Sequence, residues 1–393
     1  MESLFADRIS DVPRSFIREI LKVAVDPSVI SFAGGLPNRE LFPVKEIQEA
    51  ANKVMASDGQ TALQYSNSEG YIKLREYISR RYLEKFGLTV PVENILITSG
   101  SQQGLDLLGK TLLNEKDDVA IEEPGYLGAI QAFSVYKATF HAIPVSENGM
   151  DIDKLKSVLN DYSPKLLYTV PNFQNPSGIS YPDENRMKIA EIFRDKRTLL
   201  IQDDPYGELR FTGKSRKSFF EILPERTILL GSFSKTIAPS FRIGWIVAPE
   251  FIMDKLLVAK QASDLHTNFF SQRIIYQYLV DNEPDNHIHK ICTCYHKQCE
   301  AMIESIIKYF PKDIRYTTPE GGMFMWVALP PEYSALELFN SAIKKKVAFV
   351  PGNPFYTHGK DVSTLRLNFS CVDEKTIEIG IKRLGETIES LIR

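Results

Sequence analysis

Short continuous apolar runs alternate with helical segments through the middle of the chain. The apolar runs lie at residues 95–98, 119–121, 166–170, 199–201, 227–230 and 243–247. Helical patterns separate most of them, for example at residues 103–113 and 184–193. Strands that are apolar on both faces and spaced by helices indicate a mostly parallel sheet covered on both sides. The ligand site of such a sheet lies beyond the carboxyl ends of its strands.

The two ends of the chain follow other patterns. Residues 13–25 read as one amphipathic helix, which Asp26-Pro27 ends. A long helical pattern at 286–309 leads into strand and helix patterns that indicate a smaller α+β domain. We therefore predict three parts: residues 1–45, a helix and extended segment beside the active site and the small domain; residues 46–285, the large domain; and residues 286–393, the small C-terminal domain.

Composition excludes several classes of protein without naming a function. The 393 residues carry a formal net charge of −3, which argues against a general nucleic-acid binder. No apolar run reaches the ~18 residues of a membrane span, and residues 1–8 lack the pattern of a signal peptide. With 4 cysteines, a disulfide scaffold is not expected, so we expect a cytoplasmic protein.

The segment 231–244 follows a predicted buried strand and is the most informative part of the sequence. It places Lys235 between hydroxyl residues and puts Arg242 seven positions later. This arrangement suits a lysine that forms a Schiff base beside a phosphate, which Ser232, Ser234 and Arg242 would bind. The alternative is a surface loop with a solvated lysine and arginine.

Asp203 and Tyr206 follow the predicted strand at 199–201, at the same edge as Lys235. A carboxylate that faces a pyridine nitrogen keeps the ring protonated and makes it an electron sink, and a phenol can bond the ring's 3-oxygen. Acidic residues at a strand end could equally bind a metal ion or cap a helix.

Three further segments follow predicted strands at that edge. Residues 171–178 include Asn175, although Asn-Pro and Ser-Gly are also ordinary turn dipeptides. Ser101 and Gln102 open a predicted helix, whose N-terminus favours an anion. Tyr126 follows residues 122–125 and offers an aromatic ring. Together the five segments divide the work of holding one cofactor.

These motifs resemble the fold-type I pyridoxal 5′-phosphate (PLP) aminotransferases of class I/II, and within them the 2-aminoadipate and kynurenine aminotransferase branch. The resemblance runs from about residue 13 to the C-terminus and is carried by the phrases at 17–21, 32–37, 63–66, 98–103, 175–178, 203–206, 232–235 and 365–367. The family commonly has Thr where this chain has Ser177. The resemblance implies an α/β fold, PLP as cofactor, amino acid and 2-oxo acid substrates, and a homodimer with shared active sites.

The resemblance also implies a role for each matching residue. Lys235 forms the internal aldimine, Asp203 pairs with the pyridine nitrogen, and Asn175 and Tyr206 contact the 3-oxygen. Tyr126 stacks on the ring. The phosphate is held by Ser101, Gln102, Ser232, Ser234 and Arg242, and by Tyr65 of the neighbouring subunit. Arg366 clamps the substrate α-carboxylate, and Gly35 and Asn175 line the substrate pocket.

Substrate choice rests on fewer residues. Arg18, on the predicted N-terminal helix, would pair with a side-chain carboxylate such as that of glutamate or 2-aminoadipate, or else would be a solvated arginine beside Glu19. Phe324 would face the substrate or belong to the core. Apolar surroundings would also admit leucine or aromatic side chains, so we expect broad specificity with glutamate and 2-oxoglutarate as one pair.

Three alternatives compete with this interpretation. The same scaffold supports PLP-dependent lyases and decarboxylases. Some transcription regulators fuse a DNA-binding domain to an aminotransferase-like domain, but only about 45 residues precede the large domain here, without a helix-turn-helix pattern. A zinc site at Cys292, Cys294, His296 and Cys299 lacks the CxxC spacing, and we expect ordinary buried thiols and no metal.

Overall fold

An eight-stranded sheet forms the centre of the molecule. The computed structural model describes residues 4–10, 12, 20, 26–358 and 361–392 of the chain. In chain order the strands are β1 (Ile30–Ser31), β2 (Ile95–Thr98), β3 (Asp118–Glu123), β4 (Thr139–Ser146), β5 (Gly149–Met150), β6 (Leu166–Thr169), β7 (Leu199–Asp203), β8 (Thr227–Ser232), β9 (Gly244–Val247), β10 (Arg315–Tyr316), β11 (Phe324–Ala328), β12 (Val347–Ala348), β13 (Val350–Pro351) and β14 (Thr364–Asn368). The large sheet has the order β2-β9-β8-β7-β6-β3-β4-β5.

Helices cover this sheet on both faces. In chain order they are α1 (Asp7–Ser10), α2 (Val44–Ala62), α3 (Ile72–Phe86), α4 (Ser101–Leu112), α5 (Leu127–Ser134), α6 (Ile152–Asp161), α7 (Asp183–Phe193), α8 (Phe219–Ile222), α9 (Glu250–Asp264), α10 (Phe269–Asp281), α11 (Pro284–Tyr309), α12 (Ala335–Lys344) and α13 (Glu374–Ile392). Short 3-10 turns lie at Arg39–Leu41, Val92–Asn94, Pro239–Phe241 and Asn353–Phe355. Every residue of β2, β6, β7, β8 and β9 is buried, as expected for strands that are covered on both sides.

The strand directions bring the predicted site segments to one edge. Strands β8, β7, β6, β3 and β4 are parallel to one another. Strand β9 runs antiparallel to both β8 and β2, so β2 points the same way as the parallel set. The loop between β8 and β9 therefore leaves and re-enters the sheet at its carboxyl edge, and this loop contains Lys235 and Arg242.

A smaller sheet of order β10-β11-β14-β13 follows the long helix α11. Its strand β14 is central, and Arg366 on it pairs with Trp326 and Val350. Two short strands follow α12: β12 pairs with β1, and β13 pairs with β14. The backbone N–H of Phe32 donates to Ala348 O at 2.8 Å, which ties the segment before Gly35 to this part of the molecule.

Three other expectations concern the N-terminal helix, membrane spans and the division into parts. The predicted helix at 13–25, with Arg18, lies outside the described residues apart from the buried Ile20. Among the described helices, none combines the length and apolar character that a membrane crossing requires. The division into parts 1–45, 46–285 and 286–393 stays a prediction.

Candidate active site

Asp203, the last residue of β7, forms the floor of the site. Its side chain is buried, and its Oδ2 accepts a 2.7 Å hydrogen bond from the Tyr168 phenol on the neighbouring strand β6. Its Oδ1 is also buried and has no hydrogen-bond partner among the described residues. Burial, with the nearby carboxylates of Asp204 and Glu122, raises the pKa of Asp203 to about 7. A cationic ring nitrogen would supply the partner that Oδ1 lacks.

Lys235 lies in the loop that follows β8. Its Nζ donates a 2.7 Å hydrogen bond to the backbone carbonyl of Gly35, which stands 200 positions earlier in the sequence. Desolvation lowers the pKa of Lys235 to about 8, and the charges of Arg366 and Arg242 act in the same direction. A substantial fraction of this amine is therefore neutral near pH 8, as a nucleophilic lysine requires.

The N-terminus of α4 and the Lys235 loop form an anion cradle. Gly100 caps α4 with φ 78°, and a Cβ there would lie 2.4 Å from Nη2 of Arg242. Ser101 then begins the helix, whose first N–H groups favour an anion. Ser232 Oγ donates to Ser234 Oγ at 2.9 Å, so both hydroxyls stand on the same side of the cradle. Arg242, with φ 54°, completes the set.

Arg366, Asn175 and Tyr206 form one connected group. Nη1 of Arg366 donates to Asn175 Oδ1 at 2.8 Å, and Asn175 Nδ2 lies 3.5 Å from the Tyr206 phenol. Nη2 of Arg366 donates to the carbonyl of Ala33 at 2.8 Å, and its Nε is buried without a partner among the described residues. Burial lowers the pKa of Arg366 to about 10, so the guanidinium remains charged at neutral pH. A buried cation of this kind suits a carboxylate.

The structure brings nearly all of the predicted residues together in one cleft of about 250 Å³. The predicted residues that line it are Gly35, Ser101, Gln102, Tyr126, Asn175, Asp203, Tyr206, Ser232, Ser234, Lys235, Arg242 and Arg366. Tyr65 lies elsewhere in the same chain, 79% exposed, with its ring against His266 at a centroid distance of 5.8 Å. Arg18 lies outside the described residues.

Phe324 belongs to the core beneath the cleft. Its side chain is fully buried, and the Arg366 guanidinium carbon stands 4.3 Å from its ring centroid. A second aromatic ring, Phe355, lies 5.2 Å from the same carbon and was not among the predicted residues. Tyr168 was also not among the predicted residues, because a tyrosine inside an apolar strand cannot be distinguished in the sequence from an ordinary core residue.

Cys292, Cys294 and Cys299 lie on α11 as free thiols. Cys292 and Cys299 are buried, and desolvation raises the pKa of the Cys292 thiol to about 11. Cys294 is half-buried, and its thiol contacts Gln298 Oε1 at 3.6 Å. In the part of the chain that the structure describes, no group of three or more His, Cys, Asp or Glu residues is arranged to hold a metal ion.

The cleft fits a pyridine ring that carries a phosphate. Asp203 Oδ1 provides an unsatisfied buried acceptor for a ring N–H, and the Tyr126 ring stands at the same cleft. Because Gly100 has no Cβ, the Arg242 guanidinium can lie against it beside the N-terminus of α4, where an anion would be favoured. Lys235 supplies the amine that would bind an aldehyde carbon. These are the groups that PLP requires.

Comparisons with known proteins identify one family. The sequence model of the family "Aminotransferase class I and II" matches residues 28–384. The chain is 40% identical over 394 residues to aromatic-amino-acid aminotransferase 1 of Thermococcus litoralis, covering 99% of this chain and 94% of that protein. It is 40% identical over 385 residues to the 2-aminoadipate transaminase of Thermus thermophilus, covering 97% and 95%.

A solved structure is similar over nearly the full length. It is the α-aminoadipate aminotransferase of Thermus thermophilus, complexed with N-(5′-phosphopyridoxyl)-L-leucine. Its TM-score to this chain is 0.92 at 38% sequence identity, and the alignment covers 99% of this chain and 98% of that one.

Proposed function

The chain belongs to the class I and II aminotransferases, and from that premise we propose that it transfers the amino group of several L-amino acids to 2-oxoglutarate. The fold-type I architecture and the PLP cofactor expected from the sequence are confirmed by these relatives. One observation carries the proposal for the site: Lys235, the unsatisfied Asp203 oxygen and Arg366 line the same cleft.

We assign the residues as follows. PLP, when bound, accepts the electron pair that is left when a substrate Cα–H bond breaks. Lys235 Nζ takes the proton from Cα, which its lowered pKa permits. Asp203 would hold a negative charge for the ring nitrogen, and Ser101, Gln102, Ser232, Ser234 and Arg242 would bind the phosphate. Tyr126 stacks on the ring.

Arg366 orients the substrate in this proposal. Its guanidinium, held by Asn175 and Ala33 and stacked on Phe324, would bind the α-carboxylate and so fix the direction of the Cα–H bond. Asn175 and Tyr206 would contact the 3-oxygen of the ring, and the backbone of Gly35 would line the pocket. The hydrogen bonds to Asn175 and Ala33 support this role because they hold the guanidinium in one orientation.

The range of substrates follows from the relatives and the cleft. The similar enzymes are named for aromatic amino acids and for 2-aminoadipate, and one was solved with a phosphopyridoxyl-leucine adduct. We infer that this chain accepts 2-aminoadipate, glutamate, leucine and aromatic amino acids. Arg18 would pair with the distal carboxylate of the acidic donors, and it lies outside the described residues.

We also propose a cytoplasmic homodimer with shared active sites. Tyr65 is 79% exposed and is absent from the lining of its own chain's cleft. Exposed large side chains of this kind are common at interfaces. A partner subunit's phosphate is the contact that the family resemblance assigns to Tyr65.

An amino-donor screen on the purified, PLP-loaded protein tests the function. Donors that are substrates should remove the visible absorbance of the Lys235-bound cofactor and accumulate pyridoxamine phosphate, which 2-oxoglutarate should then convert back. Release of ammonia or carbon dioxide instead would identify the lyase or decarboxylase alternative. Lys235→Ala should lose the lysine-linked absorbance, and an unchanged spectrum would refute the assignment.

A further inference from the structure

Glu122 is a buried carboxylate whose bonding partners are all neutral. It lies near the end of β3 and is 0% exposed. Its Oε1 accepts hydrogen bonds from the Thr169 hydroxyl, from the Val170 backbone N–H at 2.9 Å and from the Tyr181 phenol. Its Oε2 accepts from Gln174 Nε2 at 3.0 Å. Burial raises the pKa of Glu122, so an ionised carboxylate at this position costs desolvation free energy.

All of these donors belong to residues 169–181, the segment that carries Asn175. The amide of Gln174 also donates to Pro124 O at 2.7 Å, and its oxygen accepts from the Ser177 backbone N–H at 2.7 Å. Asn175 thus lies between Gln174 and Ser177, which the Gln174 side chain joins by a hydrogen bond. The carboxylate of Glu122 holds that amide against the end of β3.

An amide would fit this place less well than a carboxylate. A carboxylate offers only acceptors, and two of its partners here, the Val170 N–H and the Gln174 amide nitrogen, can only donate. In Glu122→Gln, one oxygen becomes an NH2 group that faces a donor, which leaves buried groups unpaired. An apolar residue at this position would stabilise the fold at least as well, because burying an ionised group costs desolvation free energy.

Asn175 connects this segment to the side chains of the cleft. Its Oδ1 accepts from Arg366 at 2.8 Å, and its Nδ2 faces the Tyr206 phenol at 3.5 Å. We propose that Glu122 is a positioning residue that sets the place of Asn175, and through it the orientation of Arg366 toward the substrate carboxylate. The inference rests on the proposed function of Asn175 and Arg366.

A double-mutant cycle tests it, with Glu122→Gln, Asn175→Ala and the combination in the PLP-loaded protein. If Glu122 acts through Asn175, each single change lowers kcat/KM for the amino donor by about tenfold to a hundredfold, mainly through KM. The double variant is then no worse than Asn175→Ala. Losses that multiply, or an unchanged Glu122→Gln enzyme, would overturn the inference.

The control is Glu123→Gln. Glu123 is the next carboxylate on β3, and its Oε1 lies 3.2 Å from His358 rather than against residues 169–181. We expect near-normal kinetics. On the protein without cofactor, amide hydrogen exchange at residues 170–181 should be faster in Glu122→Gln than in Glu123→Gln, and equal exchange in the two variants counts against the inference.

Two results separate this inference from the proposed function. If Asn175→Ala leaves transamination unchanged, the assignment of Asn175 is wrong, and the inference falls with it. If Asn175→Ala is impaired while Glu122→Gln is normal, only the inference is wrong. Should Glu122→Gln fail to fold, Tyr181→Phe removes one donor from the same carboxylate. It should raise KM in the same direction without a further loss in the Asn175→Ala background, and an unchanged or multiplicative result overturns the inference.

Discussion

The phenol of Tyr168 donates a 2.7 Å hydrogen bond to Oδ2 of Asp203, while Oδ1 of the same carboxylate has no partner among the described residues. Tyr168 stands on β6 and Asp203 ends β7, and both side chains are buried. One oxygen is therefore held by the protein, and the other is available to a ligand. The hydrogen bond from Tyr168 stabilises the ionised form of Asp203, whereas burial raises the pKa of this carboxyl to about 7.

Tyr168→Phe should weaken cofactor binding. Without the phenol, the pKa of Asp203 rises further, so less of the carboxylate is ionised at neutral pH. A hydrogen bond to a charged group contributes ~1.5–3 kcal/mol, so we expect PLP affinity at pH 7 to fall by about tenfold or more. When PLP affinity is measured at a series of pH values, the pH at which it reaches half of its maximum should be higher than in the wild type. Tyr136→Phe, which loses a phenol-carboxylate bond to Asp106 away from the cleft, should bind PLP normally.

The rate at which the cofactor-free protein captures PLP should rise with pH. Lys235 attacks only as the neutral amine, and its pKa is lowered to about 8. Ionisation of Asp203, near pH 7, acts in the same direction because the anion favours a cationic ring nitrogen. Stopped-flow absorbance should show capture that is slow at about pH 6 and levels off above about pH 9. A flat profile would contradict the assigned state of Lys235.

Gly100→Ala should reduce PLP affinity as well as stability. Gly100 has φ 78°, and an added Cβ would meet Arg242 Nη2 at 2.4 Å, so the arginine must move. The matched control is Gly87→Ala, with φ 66° and nothing within 4 Å. Gly87 lies in the left-handed region, where an L-residue costs ~1–2 kcal/mol, whereas Gly100, with ψ 165°, lies in a region that is essentially restricted to glycine and costs ~1–3 kcal/mol. Only Gly100→Ala should also lose about tenfold in PLP affinity, and equal affinities would remove Arg242 from the phosphate site.

The sequence pattern predicted the buried strands within one or two residues because they are apolar on both faces. Strand β6 was expected at 166–170 and lies at Leu166–Thr169. Strand β4 was not among the predicted strands, because Thr139–Ser146 mixes buried and exposed positions near the sheet edge. Its existence depends on pairing with β3, which local pattern does not encode.

The site shows the same limit. Residues that directly follow strands could be identified, since chain direction puts them at one edge. Contacts that depend on register could not: Tyr168 reaches Asp203 across 35 positions, and Lys235 reaches Gly35 across 200. The role of Glu122 is hidden for the same reason, because its donors come from a segment that begins 47 residues later.

Arg366→Lys should raise KM for every amino acid donor while leaving PLP affinity nearly unchanged. A lysine keeps the charge but loses the planar fork and the stacking on Phe324. Losing a buried bidentate pair with a carboxylate costs ~2–5 kcal/mol, so kcat/KM should fall by about thirtyfold or more. Steady-state kinetics with the loaded enzyme and a separate PLP titration distinguish the two effects. A fall in PLP affinity with a normal KM would place Arg366 in cofactor binding instead.

Tyr65 should act on the site of the partner subunit. Tyr65→Phe or Tyr65→Ala should weaken PLP binding by a few-fold, about the effect of one lost hydrogen bond. The fold should be unaffected, because the side chain is 79% exposed in its own chain. The decisive measurement uses hybrid dimers formed from Lys235→Ala and Tyr65→Ala subunits.

In such a hybrid, one site combines the intact Lys235 of the Tyr65→Ala subunit with the intact Tyr65 of the other subunit. If Tyr65 acts across the interface, that site regains wild-type PLP affinity, and the hybrid reaches about half of the wild-type activity per dimer. If Tyr65 acts within its own chain, the only site with Lys235 still lacks it, and affinity stays at the level of the Tyr65→Ala parent. A protein that is monomeric and fully active at high dilution would contradict the shared site in a different way, since no second subunit would be needed to complete it.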